Sequence, residues 1–425
     1  MLNMKKVAQI LLVALIVVLL IMTFVLVTFA NVLTQHFNEL SVPVELNTAL
    51  PGVTGYDVHL LDDGGLVLNS ANQTGTYLTK LTLDNQILWT QQIYAGPESL
   101  TRLVVLSQGD FLLAGIVNNL YVLVKTDIAG NVEWNKTFDS GANVNYLMDI
   151  VESDDNGFVW AGFGEPQMDG LGWIWFSKTD GSGKLQWSQN ISGPTSDCPS
   201  HIIKTADGGY VLSDTAYSFV PDQAFFRLIR LDAEGHVLGN TSYGGYGYYY
   251  QPECNSVIAT DDGGYLMLGY LWRKEAWIVK VDADGEMQWN QTYSESRCAI
   301  TGALQTPNGF LLQEYLNGNQ TGIILTDKQG NVVWNTTFAN VTMPVGMEAN
   351  FRSLIAAQNG GYIMIASKNN STWLAKFDYP NAFEVWHWLI VAILLMLSVS
   401  YILLYCFIIG NSLIKAQCHP EDLSS

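Results

Sequence analysis

The chain has 425 residues, with 20 Lys and Arg against 39 Asp and Glu, for a formal net charge of -19. That acidity excludes a basic footprint for a phosphate backbone, so nucleic acid is not an expected partner. Apolar residues make up 48% of the chain and aromatic residues 12%, enough for one large β domain or two smaller ones.

In chain order, the first feature is Val7 to Ala30, 24 residues without a charge. A helix of that length crosses a hydrocarbon core of roughly 30 Å. It also exceeds a signal-peptide core of about 7–15 residues, so a retained anchor is expected over cleavage after Ala30. Next comes "ELSVPVELNT", Glu39 to Thr48.

From there one pattern recurs seven times: an Asp/Asn–Gly turn, then an apolar strand, as in "DDGGLVL", "DDNGFVW", "ADGGYVL" and "QNGGYIM". The first strand residue is Leu66, Phe111, Phe158, Tyr210, Tyr265, Phe310 and Tyr362. A second strand, a turn and a third strand carrying Trp follow, with Trp89, Trp134, Trp187, Trp289 and Trp334 in that place and Leu238 in the fourth unit. Adding the apolar run before each turn gives four strands, A to D, per unit of about 40–55 residues, the signature of a β-propeller. The recurring Trp and the aromatic after the turn read as packing between blades. The last unit lacks a strand D, and residues 39–48 are expected to supply it, closing the ring and covering its edges.

A second uncharged stretch, Leu389 to Ile409, follows Trp386 and Trp388, giving an expected span over residues 386–410. Lys5, Lys6 and Lys415 flank the two spans on their distal sides. The expected fold class is therefore an all-β seven-bladed β-propeller flanked by two transmembrane α-helices. The propeller, residues 31–385, would be extracellular, embedded through the two helices, with both termini cytoplasmic. Acceptor sequences for N-glycosylation occur at Asn72, Asn135, Asn190, Asn240, Asn290, Asn319, Asn335, Asn340, Asn369 and Asn370, all between the spans.

The run "TDDGGYLMLGY…AWIVKVDADGEMQWNQTY" resembles the DGGY-type propeller repeats of archaeal cell-surface proteins, over about 330 residues. That resemblance implies a propeller fold and does not specify a ligand. More distantly, "KTDGSGKLQW" (Lys178 to Trp187) is similar to the tryptophan-docking element of pyrroloquinoline-quinone propellers. The adjacent cysteines of that family's cofactor site are missing, so no cofactor is expected.

In an up-and-down blade the D–A and B–C loops share one face, the outer face here. Variable loops on a rigid scaffold are where binding concentrates. The cluster "TSYGGYGYYYQPEC" places Tyr246, Tyr248, Tyr249 and Tyr250 there, and "YLWRKEAW" adds Trp272 and Arg273. Aligned A strands give a polar layer near the channel mouth: Asp57, Arg102, Asp149, His201, Ser256, Thr301 and Ser353. An acid, a base and an Arg suit acid–base chemistry, while a structural hydrogen-bond layer is the plainer reading. A Cys198–Cys254 disulfide suits an oxidising exterior. "DADGE" (Asp282 to Glu286) lacks the spacing of a 12-residue calcium loop, and no metal is assigned. Without a nucleophile elbow, zinc-protease motif or phosphate loop, the expected function is non-catalytic binding of a glycan or surface protein. The alternatives are a quinoprotein-like or glycan-active enzyme at the channel mouth, or a scaffold subunit of a membrane complex.

Overall fold

Each repeat folds as a four-stranded antiparallel sheet in the computed structural model, and seven such sheets are present. The structure describes residues 48–50, 53–83, 86–165, 173–191, 195–219, 222–247, 252–271, 275–293, 298–316, 320–339, 354–356, 361–368 and 371–377. Blades 1 to 6 span 54–95, 102–138, 144–191, 195–247, 252–293 and 298–339. Blade 7 takes strands from 354–377 and its fourth strand from Thr48–Leu50, which pairs with Ser371–Phe377. Residues 44–377 form one compact unit.

The turns explain the regular spacing. Asp127 Oδ1 accepts the amides of Ala129 and Asn131 at 2.9 and 2.8 Å, and Gly130, at φ 80°, donates to the Asp127 carbonyl at 3.0 Å. Only glycine takes that left-handed conformation without steric cost. The same C–D turn recurs at Asp180, Asp232, Asp282 and Asp327.

The core is a series of seams between blades. Leu112 and Leu123 of blade 2, for example, meet Phe158 and Trp160 of blade 3. Each such fully buried side chain contributes roughly 1.5–3 kcal/mol. At the rim, the Trp of one blade lies on the C–D turn glycine of the next. A Cβ at Gly130, Gly183, Gly235 or Gly330 would sit within about 3.1 Å of the Trp89, Trp134, Trp187 or Trp289 ring.

The pairing register corrects one assignment. Lys80, Lys125, Lys178 and Lys280 face Trp89, Trp134, Trp187 and Trp289, whereas Arg230 faces Gly239. In blade 4 the tryptophan position is thus Gly239, and Leu238 is an exposed neighbour. Arg230 lies over Gly239 and reaches blade 5, donating to Ala283 O at 3.0 Å and to Asp284 Oδ1 at 3.1 Å.

The expected fold class also needs correction. Among the described residues there is no helix, so none is long and apolar enough to cross a membrane. Over the described residues the fold is an all-β seven-bladed propeller, and no flanking transmembrane helix is among them. An uncharged run of bilayer length is a requirement for a span and does not by itself make a helix. Residues 7–30 and 386–410 lie outside the described residues. Membrane embedding, cytoplasmic termini and an extracellular ring all rested on those helices, and they are withdrawn together.

Candidate functional site

Strand A of blades 1, 3, 4, 5 and 6 carries a one-residue bulge, at Tyr56, Met148, Ser200, Asn255 and Thr301. A bulge re-aims its neighbours, and here it sets the polar layer. The layer position opposite strand B holds Asp57, Arg102, Asp149, His201 and Ser256, and in blade 6 Gly302. Thr301 belongs to the bulge row instead, and Ser353 lies outside the described residues.

These side chains are engaged from blade to blade. Asp57 Oδ2 accepts Leu103 N at 3.3 Å, and Arg102 Nε donates to Met148 O at 2.5 Å. Asp149 Oδ2 accepts Ile202 N at 3.1 Å, and the bulged Asn255 donates to Ile300 O at 3.1 Å. His201 joins three blades: Nδ1 meets Val257 O at 2.9 Å and Nε2 meets Asp149 Oδ2 at 3.0 Å. A carbonyl and a carboxylate only accept, so both bonds form together when the ring is doubly protonated. The channel-mouth layer thus ties neighbouring blades together.

Cys198, Cys254 and Cys298 are in no disulfide among the described residues, which differs from the expected Cys198–Cys254 bridge. Burial pushes the Cys254 thiol up to about 12, so it is unreactive at neutral pH. Among the described residues no three His, Cys, Asp or Glu side chains gather as a metal site.

The polar chemistry that departs from the repeat lies elsewhere. Five residues into strand B, each blade pairs with a strand C partner. The pairs Ser70–Tyr77, Gly115–Val122, Gly162–Trp175, Gly269–Trp277 and Ala366–Trp373 set a small residue against a large one. The reason is crowding: a Cβ at Gly269 would meet Glu253 O at 1.9 Å. Two blades break the rule, with Asp214–Arg227 in blade 4 and Glu314–Gly322 in blade 6.

Asp214 and Arg227 are both buried and meet at 2.5 Å. Glu314 is 6% exposed, and its Oε1 has no hydrogen-bond partner among the described residues. Burial raises its carboxyl above the usual value, partly offset by a hydrogen bond with Cys298.

Blade 4 is also the longest. Its strands Thr195–Lys204, Tyr210–Phe219 and Asp222–Leu231 have 10 residues each and Val237–Gly247 has 11, against 7 in each strand of blade 2 after its first. The added length projects on the outer face, where blade 5 contributes Glu253 and Tyr270. Tyr270 donates its hydroxyl to Glu253 Oε2, and Tyr217 of blade 4 hydrogen-bonds the same carboxylate. Burial, then the Glu253 charge, holds the Tyr217 phenol far above its usual range.

Of the sequence-predicted aromatic site, one backbone position is described. Tyr246 lies in strand D of blade 4, paired with Ala224. Tyr248, Tyr249, Tyr250, Trp272 and Arg273 lie outside the described residues, in the connections that follow Gly247 and Leu271. Glu253, Tyr217, Asp214 and Arg227 were missed. The signal was the charged residue at a strand position that is small in five of the seven blades.

Of the glycosylation acceptors, Asn135, Asn240, Asn290 and Asn335 occupy one equivalent, exposed position in strand D, directly after the Trp or its Gly239 counterpart. Asn190 is exposed on strand D of blade 3, and Asn72 ends a B strand, accepting the Thr74 amide at 2.8 Å. Asn319, Asn340, Asn369 and Asn370 lie outside the described residues.

Together, the ring of four-stranded sheets and its clasped channel define a seven-bladed β-propeller. The chain is similar to a periplasmic gluconolactonase of Pseudomonas aeruginosa, at 14% identity and a TM-score of 0.50, covering 68% of this chain and 85% of that one. It is also similar to a puromycin hydrolase, at 10% identity and a TM-score of 0.50, covering 76% and 52%. The Dos1 propeller aligns at 14% identity and a TM-score of 0.49, covering 80% and 88%. The first two likenesses show the fold. No family model matches the chain, and no curated protein matches it.

Proposed function

We propose that this propeller binds a neutral glycan at the outer end of the seam between blades 4 and 5. The observation that carries the reading is Glu253, a carboxylate addressed by the hydroxyls of Tyr217 and Tyr270. Polar groups withdrawn from water cost stability unless they hold a defined geometry, and such perturbed groups concentrate at functional sites. The sequence after Gly247 and after Leu271 carries Tyr248, Tyr249, Tyr250, Trp272 and Arg273, residue types whose rings suit the apolar faces of sugars and whose polar groups suit their hydroxyls. The net charge of -19 disfavours an anionic ligand.

A second reading, cleavage of a glycan at the same seam, draws on two carboxylates in different settings: Asp214 paired with Arg227, and Glu253 held by tyrosines. A carboxylate pair with unlike environments is what acid–base hydrolysis needs. The gluconolactonase and the puromycin hydrolase add that this scaffold carries enzymes in those proteins, and a fold alone does not choose the chemistry.

The test is a printed array of neutral glycans probed with the intact chain. Binding that falls at least about tenfold in both Glu253→Gln and Tyr270→Phe supports the site. Equal binding by both variants, or none by the parent chain, sinks it. Incubation of any bound glycan with the protein, followed by mass spectrometry, separates the two readings: products lost in Glu253→Gln establish cleavage, and intact glycan establishes binding alone.

A further inference from the structure

We propose that the groove between blades 2 and 3 is a second saccharide subsite, carried by observations independent of the blade 4–5 seam. The groove has a volume of about 500 Å³, within the usual range of roughly 300–1,000 Å³ for small-molecule sites.

A hydroxyl that ties other blades together is missing beside it. Tyr243 lies in strand D of blade 4 and donates to Gly285 O of blade 5 at 2.5 Å, and Tyr293 of blade 5 donates to Gly330 O of blade 6 at 2.8 Å. Both bonds tie the rims of neighbouring blades together. Phe138 holds the same register position in blade 2, opposite Tyr121, but has no hydroxyl. Its ring packs on Trp160 at a centroid distance of 4.8 Å and borders the groove.

The lining matches a sugar. Phe138 and the edge of Trp175 supply an aromatic floor, while Thr137, Asp139, Gln189 and Asn190 supply hydroxyl, carboxylate and amide groups around it. A pyranose carries an apolar C–H face and an edge of hydroxyls that both donate and accept. No Lys or Arg lines the groove, and Asp139 is exposed, so the ligand is a short neutral oligosaccharide and not a sugar phosphate or uronate. Thr137 is exposed on an edge strand, which leaves the groove reachable from the side wall of the ring.

The experiment is calorimetric titration of the intact chain with cellobiose, N,N′-diacetylchitobiose and maltotriose. At least one is expected to bind. Thr137→Trp, which fills the groove from its solvent side, is expected to weaken that binding at least about tenfold with the melting temperature unchanged. Should Thr137→Trp fail to fold, Gln189→Ala carries the test, with an expected loss of about threefold. Asp262→Asn, in a blade 5 turn that belongs to neither site, is expected to leave the titration unchanged. The proposal is overturned by silence of all three sugars, or by full affinity in the groove variants. It is likewise overturned if Glu253→Gln abolishes binding while the groove variants retain it, since the sugar then occupies the blade 4–5 seam.

Discussion

Blades 3 and 4 are neighbours built from one repeat, yet they solve the same packing problem with opposite chemistry. In blade 3, Gly162 pairs with Trp175 and makes room for the Tyr121 ring of blade 2, and Trp187 lies over the turn glycine of the next blade. In blade 4 those two places hold Asp214 with Arg227, and Arg230 over Gly239. Aromatic burial is replaced twice by guanidinium groups, one bound to a buried carboxylate and one to the Ala283 carbonyl and Asp284. A buried ion pair is weak support for stability, because the loss of hydration offsets most of the attraction. Blade 4 therefore trades apolar packing for polar groups in defined positions, and it does so where its strands are longest.

The largest expected effect follows from that trade. Arg227→Met leaves Asp214 buried without its charge partner, and urea denaturation should show a loss of about 3–5 kcal/mol. The double change Asp214→Gly with Arg227→Trp restores the pair seen in blade 3. It should unfold at or above the parent midpoint, while binding at the blade 4–5 seam reports whether the ion pair serves function. A double variant as unstable as Arg227→Met would mean that blade 4 differs from blade 3 in backbone and not only in side chains.

A smaller effect is expected at the rim. Gly239→Trp writes the repeat residue into blade 4, but a Cβ there already meets Arg230 at 2.9 Å. Overpacking of this kind costs about 1–3 kcal/mol. Adding Arg230→Lys, the strand C residue of blades 1, 2, 3 and 5, should recover most of the loss in thermal melts. No recovery would show that Arg230 is not what replaces the tryptophan.

The contrast also explains what could be read from the residues alone. Seven Gly turns at intervals near 50 residues, with strands of period two, specify seven sheets, because turn and alternation are local properties. Register is less visible: a bulge in strand A and the shift after each C–D turn moved Thr301 out of the polar layer and moved the tryptophan position from Leu238 to Gly239. The polar layer was legible as a column of Asp, Arg and His with a structural reading favoured, but not its partners. Its hydrogen bonds to neighbouring blades exist only once the sheets stand side by side. Glu253 and Tyr217 were hidden for the same reason, since they come from different blades. The apolar runs at 7–30 and 386–410 were legible as composition and did not establish the helices read from them.

Glu314 extends the comparison to blade 6, where the strand-B acid has Gly322 opposite and not an Arg. Burial raises its carboxyl above the ordinary value of 4.5, so the folded state favours the neutral acid. The stability this gives is complete below the unfolded value and is lost as pH rises through the raised folded value. Glu314→Gln mimics the neutral form, so its unfolding free energy should match the parent at acid pH and exceed it above that range, by on the order of 1 kcal/mol. Parallel curves for the two proteins at all pH values would show that Glu314 is not the titrating group.

The smallest effect belongs to an ion pair of the ordinary kind, and its sign is opposite. Lys80, Lys125, Lys178 and Lys280 each pair with an A–B turn Asp of their own blade, whereas Arg230 reaches into the next. The Asp262 carboxyl is pushed down to about 2, burial opposing the shift and the hydrogen bond from Lys280 leading it. A depressed carboxyl contributes stability that is present above its unfolded value of 3.8 and disappears as pH falls through about 2. Because Asp262 is half exposed, the contribution is screened and stays within roughly 0.2–1 kcal/mol. Asp262→Asn should flatten the acid limb of the stability curve between those two values and leave neutral stability lower by that amount. Arg230→Ala should leave the acid limb unchanged and instead loosen the blade 4–5 rim, measurable as faster amide exchange in the turn at Ala283. Equal responses in both variants would erase the distinction between a pair that braces one blade and a pair that joins two.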